Sequence, residues 1–374
     1  MKTLAALLCE MGRPAPYAES KPLLIDEIDL ADPGPGEVLV RVAAASLCHS
    51  DLSVIDGTRP RVMPMVLGHE ASGVVEKIGA GVKRFAEGDH VVFSWMARCG
   101  HCRCCIDGRP WLCENGIKAN VAGTLLSGAR RLNWHGKVVN HHIGVSGFAQ
   151  HAVAMESALV KIDHDYPLET AALFGCAVMT GVGAVVNTAK VRPGDPVAVF
   201  GLGGVGLSAV MGAAVAGAFP IIAVDVLDAK LELATKAGAT HTVNGAKLDA
   251  VAAIRDITGG GVEVAVESVG RVAALQQAYL ATRRGGTVVT VGLPPPDQMF
   301  AIPAVSLAND EKTVRGSYMG SCIFERDVPR FIALHRAGKL PVDLLHTHTI
   351  ELSDINAAFD TLAAGGAVRQ IVRF

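Results

Sequence analysis

The chain has 374 residues, with 34 Lys and Arg against 36 Asp and Glu, so its formal net charge is −2. This balance excludes the strongly basic classes that bind nucleic acid or anionic membrane surfaces through charge. The chain is longer than a single hydrophobic core usually accommodates. At about 150 residues per domain, its length favours two domains.

The N-terminal part of the chain predicts short strands joined by turns. The apolar run after Met1 stops at Glu10 without a small-residue cleavage site, so it predicts a first strand rather than a signal peptide. Turn signals next to apolar runs predict further strands at 37–42, 73–79 and 88–93. We therefore expect a β-rich first domain and a cytoplasmic protein.

The segment from Cys48 to Glu70 concentrates metal-binding side chains in an otherwise apolar stretch. A catalytic zinc takes three protein ligands, thiolate and imidazole among them, and leaves one position for water or substrate. Cys48 and His69 supply two such ligands, and Cys176 is the natural third. The alternative is ordinary core packing, since a lone buried cysteine usually behaves as a small hydrophobe.

Five of the nine cysteines lie between residues 99 and 113. In a large chain with no secretion signal, such crowding indicates metal binding before disulfides. Four thiolates at intervals of three, three and eight match a closed structural zinc site, in a lobe at about residues 97–115. The four predicted ligands are Cys99, Cys102, Cys105 and Cys113. Cys104 is surplus and is expected to be free, and a redox thiol cluster is the alternative.

A long polar connection follows Cys113 and runs to His142. Connections of this length are uncommon unless they are functional. The pair Arg130 and Arg131 within it is interpreted as a solvated face rather than as a nucleic-acid patch.

A nucleotide-binding βαβ unit is predicted in the middle of the chain. Its parts are a strand at 195–200, the turn Gly201–Gly206, a helix at 207–217, a strand at 221–224 and then Asp225. Glycines let the backbone approach a pyrophosphate at the helix N-terminus, and an acid near this spacing accepts hydrogen bonds from the adenosine ribose. Asp225 would repel a ribose phosphate, so NAD is favoured over NADP.

The uncharged run between Asp195 and Asp225 is long enough to cross a bilayer, but its six glycines and Pro220 argue against a membrane span. Further parallel strands are predicted at 238–243, 262–267 and 286–292. From about Tyr318 the chain is expected to rejoin the first domain. The elements predicted there are helices at 331–337 and 355–364 and a closing strand at 371–374.

Together these motifs resemble the zinc-dependent medium-chain alcohol dehydrogenases, in particular a liver-type-like, long-chain-loop subgroup. The likeness covers essentially the whole chain and extends to Gly68-His69-Glu70 and the terminal Val368-Arg369-Gln370. The family implies an α/β fold. A GroES-like β-barrel catalytic domain would occupy 1–177 and 320–374, and a Rossmann coenzyme domain with a doubly wound parallel sheet would be inserted at 178–319.

The resemblance implies two zinc ions per chain, the catalytic one held by Cys48, His69 and Cys176 and the structural one by the four cysteines of the lobe. Glu70 is implied to lie just behind the catalytic metal. Asp51 is implied to orient the ligating His69.

The resemblance also assigns Ser50 to accept the alcohol proton and His49 to lie beside the coenzyme pyrophosphate. The implied coenzyme-binding residues are His49, Thr180, Gly201, Gly203, Gly204, Val205, Gly206, Asp225, Lys230, Val269, Val291 and Arg369. The residues implied to line the alcohol pocket are Trp95, His142, Ile143 and Leu293.

The chain departs from the family pattern at three places. Ser53 stands where many relatives have the histidine that ends the proton relay, so the relay is expected to end in water. His49 stands where many relatives have arginine. The sequence Thr58-Arg59-Pro60-Arg61 replaces the acidic residues of relatives that oxidise the glutathione adduct of formaldehyde, which disfavours that substrate class.

The activity implied by the resemblance is reversible hydride transfer between a zinc-bound alcohol, aldehyde or ketone and NAD. The expected partners are a small-molecule substrate and a second copy of the chain in a homodimer, with no nucleic acid and no membrane. Two alternative activities are a hydroxymethyl-thiol formaldehyde dehydrogenase and a nicotinoprotein with tightly held coenzyme. A non-catalytic crystallin-like relative is a third possibility, which the complete set of zinc ligands argues against.

Overall fold

The computed structural model describes all 374 residues, Met1–Phe374. The chain divides into two compact units. The first unit comprises Met1–Cys176, Ile323–Pro329 and His346–Phe374, and the second unit comprises Ala177–Cys322 and Arg330–Leu345.

Eighteen strands form three sheets, and β11–β16 belong to the second unit. The strands are β1 Lys2–Leu8, β2 Leu23–Leu30, β3 Glu37–Ser46, β4 Met65–Val66, β5 Glu70–Ile78, β6 His90–Phe93, β7 Leu132–Trp134, β8 Lys137–His141, β9 His151–Met155, β10 Leu159–Ile162, β11 Val197–Phe200, β12 Ile221–Asp225, β13 His241–Asn244, β14 Val262–Glu267, β15 Thr282–Thr290, β16 Thr313–Gly316, β17 His346–Ile350 and β18 Arg369–Arg373.

Thirteen α-helices connect or cover these strands. The helices are α1 Tyr17–Ser20, α2 His49–Ile55, α3 Arg103–Ile106, α4 Glu114–Ala122, α5 Leu168–Ala172, α6 Ala177–Gly183, α7 Gly204–Val215, α8 Asp228–Lys236, α9 Ala250–Thr258, α10 Val272–Ala281, α11 Ala304–Asn309, α12 Phe324–Arg336 and α13 Ile355–Ala363.

The first unit is built from two sheets. Strands β1, β2, β7, β8 and β4 form a closed barrel, and a seven-stranded sheet has the order β10-β6-β5-β3-β18-β17 with β9 paired to β3. In the second sheet Ser46 of β3 lies opposite both Glu70 of β5 and Ile371 of β18. This register brings the residues after β3, before β5 and at the start of β18 to the same edge.

The second unit is a six-stranded parallel sheet of order β13-β12-β11-β14-β15-β16. Counted from β11 this is the 3-2-1-4-5-6 order of a doubly wound nucleotide-binding fold, whose ligands bind beyond the carboxyl ends of the strands where the order reverses. All four residues of β11 are buried, as expected for a central parallel strand covered on both faces. The predicted α/β fold class is confirmed.

The boundaries differ from the sequence prediction at the C-terminal side. The return to the first unit begins at Ile323, and Arg330–Leu345 belongs to the second unit although the prediction placed it in the first. The short 3₁₀ helix Val342–Leu345 contacts α7, which accounts for this assignment. Helix α12 begins at Phe324, before the predicted start at residue 331, and continues through Pro329.

No single helix is long and apolar enough to cross a membrane, and a bent pair, Leu168–Gly175 with Ala177–Ala189, meets the length and composition only together. The uncharged run considered in the sequence is divided among β11, α7 and β12.

Candidate active site and coenzyme site

The edge where β3 and β5 meet collects the side chains predicted to bind the catalytic metal. Cys48 is the extended residue that precedes α2, His69 immediately precedes β5, and Cys176 follows a 3₁₀ turn at Leu173–Gly175. One ligand atom from each of these three residues and from Glu70 lies within 4.8 Å of the others, and all four residues are buried. Two thiols and an imidazole form the soft donor set that zinc prefers.

A hydrogen bond between the two thiols separates their acidities. It lowers the pKa of Cys48 well below its usual value and raises the pKa of Cys176 well above it. Burial opposes ionisation of Cys48, while the charge of Arg369 favours it. A buried thiolate beside a second thiol and an imidazole fits a zinc ligand set, because metal binding requires deprotonated cysteine and a free imidazole nitrogen.

Asp51 is the partner of His69. Its Oδ1 lies 3.1 Å from His69 Nδ1, and the backbone N–H of Gly68 donates to the same oxygen at 3.1 Å. Burial disfavours a charged imidazole, but Asp51 outweighs this effect and raises the pKa of His69 well above its usual value. A proton held between Nδ1 and Asp51 leaves Nε2 of His69 for the metal.

Glu70 and Arg369 form a buried ion pair behind this cluster. The guanidinium donates to both carboxylate oxygens, Nε to Oε2 at 3.2 Å and Nη2 to Oε1 at 3.1 Å, and Nη2 also lies 3.8 Å from Cys48 Sγ. Burial raises the pKa of Glu70 to about 7, with Cys48 adding to the effect and Arg369 opposing it. The structure therefore places Arg369, which the resemblance assigned to the coenzyme, against Glu70 and Cys48.

The cysteine lobe brings its four predicted ligands together around α3 and α4. Their Sγ atoms lie within 4.8 Å of one another. Cys102 Sγ and Cys113 Sγ lie 4.0 Å apart, and four thiolates this close would hold a structural zinc ion. The four ligands are Cys99, Cys102, Cys105 and Cys113.

Backbone N–H groups point at the sulfurs of this lobe. Cys102 N donates to Cys99 Sγ, and Cys99 N and Gly116 N both donate to Cys113 Sγ, each at 3.3 Å. Burial opposes ionisation, yet the N–H groups of His101 and Cys102 lower the pKa of Cys99 to about 6. Cys104 lies outside the group, with its Sγ 3.9 Å from a carboxylate oxygen of Glu114.

The glycine-rich turn after β11 leads into α7 in the second unit. Gly201 has φ +86°, and an added Cβ at Gly206 would collide with the Gly201 carbonyl oxygen, so the turn and the helix approach closely because neither carries a side chain. At Gly203, the residue before α7, an added Cβ would meet no atom of the protein within 4 Å. Packing does not require that glycine, whereas a pyrophosphate at the helix N-terminus would.

Asp225 ends β12 with its carboxylate fixed by backbone donors. Leu202 N donates to Oδ2 at 2.7 Å, while Val226 N and Leu227 N donate to Oδ1 at 2.8 and 3.1 Å. The acid is therefore held against the glycine-rich turn, where the family places the adenosine ribose.

The other predicted residues are distributed between the two units. In the first unit His49 is exposed and Ser50 half-buried on α2, and Ser53 Oγ donates to the His49 carbonyl at 2.9 Å. The remaining predicted residues are Trp95 and Ile143, half-buried in the first unit; Thr180, buried on α6; Lys230 and Val291, half-buried in the second unit; and Val269 and Leu293, exposed in the second unit.

His142 and Glu267 have contacts that sequence reasoning missed. His142 was assigned to the alcohol pocket, but it is 2% exposed and its Nδ1 lies 3.2 Å from Asp51 Oδ1. Glu267, at the end of β14, accepts hydrogen bonds from Gly270 N at 2.7 Å and Thr290 Oγ1 at 2.8 Å, so it fixes the turns after β14 and β15. The only sequence signal for Glu267 is an acid at a strand end.

Comparison with known proteins finds relatives along nearly the whole chain. Residues 34–164 match the family model described as alcohol dehydrogenase GroES-like domain, and residues 204–336 match the one described as zinc-binding dehydrogenase. The protein named "Putative alcohol dehydrogenase D" of Mycobacterium tuberculosis is 40% identical over 376 residues, covering 100% of both chains.

Two solved structures are similar over the full length. The alcohol dehydrogenase zinc-binding domain protein from Burkholderia ambifaria has a TM-score of 0.94 at 38% identity, covering 100% of this chain and 99% of its own. Benzyl alcohol dehydrogenase from Acinetobacter calcoaceticus has a TM-score of 0.93 at 35% identity, with the same coverage.

Proposed function

The chain belongs to the zinc-dependent medium-chain alcohol dehydrogenase family and is an oxidoreductase, and from this premise we propose that it oxidises primary or secondary alcohols reversibly with NAD. The observation that carries the proposal is the buried cluster of Cys48, His69, Glu70 and Cys176. Cys48, His69 and Cys176 would hold the catalytic zinc. When bound, zinc supplies a Lewis acid that favours loss of the alcohol proton.

The protein's own groups prepare this site in three ways. Asp51 accepts the Nδ1 proton of His69 and so presents Nε2. Arg369 places a buried positive charge beside Glu70 and the Cys48 thiolate, which offsets the cost of burying negative charge. Burial of all four cluster residues excludes bulk water, so electrostatic interactions there are stronger than in solvent.

Ser50 is the residue proposed to take the alcohol proton at Oγ. It lies on the first turn of α2, two residues after Cys48. Ser53 cannot continue the relay as an acid–base group, because a hydroxyl does not titrate near neutral pH and its proton is directed at the His49 carbonyl. We infer that the proton passes from Ser50 to water.

The proposed coenzyme is NAD, supported by the fixed carboxylate of Asp225 at the end of β12. We expect Asp225→Asn to raise the ratio of kcat/KM for NADP to that for NAD at least tenfold. The substitution removes repulsion of a ribose phosphate and weakens charged hydrogen bonds worth about 1.5–3 kcal/mol. An unchanged ratio would mean that Asp225 does not face the ribose.

The proposed activity is tested by NADH absorbance with a panel of alcohols and carbonyls, together with the zinc content of the purified protein. Benzyl alcohol comes first in the panel, because a relative at 35% identity is a benzyl alcohol dehydrogenase. Cys48→Ser should abolish hydride transfer. Cys104→Ser, which changes a cysteine outside both clusters, should retain it. A protein that holds two zinc ions and transfers no hydride in either direction would contradict the proposal and favour a non-catalytic role.

A further inference from the structure

We propose that His142 is a positioning residue: it shares the carboxylate of Asp51 with His69 and so helps to fix the orientation of a zinc ligand. The inference rests on the zinc site of the proposed function. It concerns a side chain that lies in a different segment from all three predicted ligands, in the connection between β8 and β9.

Three nitrogen atoms lie close to one oxygen of Asp51. Oδ1 lies 3.1 Å from His69 Nδ1, 3.1 Å from Gly68 N and 3.2 Å from His142 Nδ1. The two imidazole rings meet edge to face, with centroids 5.6 Å apart and an interplanar angle of 84°. Both imidazole rings therefore contact the Asp51 carboxylate, from different directions.

Burial makes this arrangement costly unless each polar atom is paired. Asp51, His69 and His142 are 0%, 1% and 2% exposed. Asp51 Oδ2 and His142 Nδ1 are both buried without a hydrogen bond of good geometry, and they belong to side chains already in contact. Buried polar atoms are rarely left unpaired, so the contact between these two side chains is where the His142 N–H and the Asp51 carboxylate would satisfy each other.

The backbone holds the His142 ring where this pairing requires it. His142 N donates to Ser146 Oγ at 3.1 Å, and the His142 carbonyl accepts from Val145 N at 3.0 Å. Ile143 and Ser146 have φ of +41° and +57°, which non-glycine residues adopt only where surrounding structure enforces it. The ring is thus carried by a tightly bonded turn rather than by a mobile loop end.

Rotation of the Asp51 carboxylate would affect the metal through the orientation of His69. A carboxylate bound only by His69 and one backbone N–H can turn about its last torsion, and His69 turns with it. A second imidazole against the same carboxylate restricts that torsion, so Nε2 of His69 would keep one direction. Loss of such outer partners typically costs 10–100-fold in metal affinity.

The test compares three substitutions of His142 in the full chain loaded with two zinc ions. His142→Phe removes both ring nitrogens. His142→Asn keeps an N–H donor at the distance of Nδ1 from the backbone, whereas His142→Gln offers a donor only at the distance of Nε2. The readouts are the rate at which a chelator removes the catalytic zinc, and the visible absorption spectrum after cobalt replaces that zinc.

We expect His142→Phe and His142→Gln to lose the catalytic metal at least tenfold faster than the wild type and to shift the cobalt spectrum. His142→Asn should remain within about threefold, in line with the magnitude for outer partners. In an Asp51→Asn background, His142→Phe should add little, because the shared carboxylate is already gone. Retention of the zinc bound by Cys99–Cys113 serves as the folding control.

Three results would overturn the inference: equal metal retention in His142→Phe and the wild type, equal loss in the Asn and Gln variants, or additive effects with Asp51→Asn. A wild type that binds only the lobe zinc would instead refute the zinc site of the proposed function, and this inference with it.

Discussion

Glu37 shows how one residue anchors a long connection. Its side chain is 0% exposed at the start of β3, and its carboxylate accepts hydrogen bonds from Arg131 Nε at 2.7 Å, Ser127 Oγ at 2.7 Å and Gly34 N at 2.8 Å. Arg131, interpreted from the sequence as part of a solvated face, is instead the ion-pair partner of a buried acid. The connection between the cysteine lobe and β7 is thereby tied to the central strand β3.

We expect Glu37→Gln to destabilise the protein by about 3 kcal/mol at pH 7, because breaking a buried pair leaves one charge uncompensated. Urea unfolding measures the change. Glu10→Gln is the matched control: Glu10 pairs with Arg13 on the surface, and such exposed pairs contribute less than about 1 kcal/mol.

The difference in unfolding free energy between the wild type and Glu37→Gln should depend on pH in one direction. Burial opposes ionisation of Glu37, but the hydrogen bonds from Arg131, Gly34 and Ser127 outweigh it and lower the pKa of Glu37. The stabilisation is therefore complete above the unfolded pKa of about 4.3 and is lost as pH falls through the lower folded value. A wild-type advantage that persisted undiminished at the acid end of the series would argue against the ion pair as its source.

At the scale of elements, two glycines at the start of α7 differ in what surrounds them. Gly206 is required by the fold, since an added Cβ would meet the Gly201 carbonyl. Gly203 faces open space. Packing therefore requires a glycine at position 206 but not at position 203.

We expect Gly203→Ala to weaken NADH binding at least tenfold while leaving thermal unfolding of the coenzyme-free protein within about 2 °C, since it meets no protein atom. Gly206→Ala should lower both the NADH affinity and the unfolding temperature, because the turn and the helix would have to move apart. Fluorescence titration with NADH and a thermal melt give the two readouts. Normal NADH affinity in Gly203→Ala would show that the pyrophosphate does not lie against that residue.

The two cysteine clusters differ in the elements that depend on them. The lobe consists of short helices whose backbone N–H groups point at sulfur, so we expect its folding to be coupled to metal binding. Cys48, His69 and Cys176 instead lie at the ends of long paired strands and in a packed core, which hold their positions through other contacts.

We therefore expect Cys113→Ser to lose one zinc and to destabilise the fold, and Cys176→Ser to lose activity with a much smaller effect on stability. Zinc analysis, hydride transfer and urea unfolding of both variants distinguish the roles. Equal destabilisation by the two substitutions would contradict this division.

At the scale of the whole molecule, the sheet of the second unit ends in an uncovered strand. All four residues of β16 are exposed at the edge of the sheet. Large apolar side chains are exposed in β16 and in the segment that leads into it: Met299 at 83%, Val305 at 73% and Val314, within β16, at 37%. An unpaired edge beside apolar surface favours pairing with another strand, and a second copy of β16 is the partner always present.

We predict a homodimer in which two β16 strands pair across a two-fold axis. Analytical ultracentrifugation should find the wild type as a dimer and the variant Val305→Asp with Val314→Asp as a folded monomer. Val138→Asp changes a valine 56% exposed in the first unit and should leave the dimer intact. A monomeric wild type, or a dimer that survives the double substitution, would exclude this interface.

The sequence alone was sufficient to predict the family and the α/β fold, because the features that carry them are local. Donor chemistry and spacing define the cysteine lobe, and the strand–glycine–helix order with Asp225 defines the nucleotide turn. Each depends on residues close together in the chain, so their spacing can be recognised before the fold is known.

Only the tertiary structure decided which distant side chains share a buried charge. Arg369 and Glu70 are 299 positions apart, and the pairing of β3 with both β5 and β18 brings them together. The same holds for Asp51 with His142 and for Glu37 with Arg131. A buried charge needs a partner, and strand register and turn geometry determine which side chain that partner is. Neither can be predicted from a short segment of sequence.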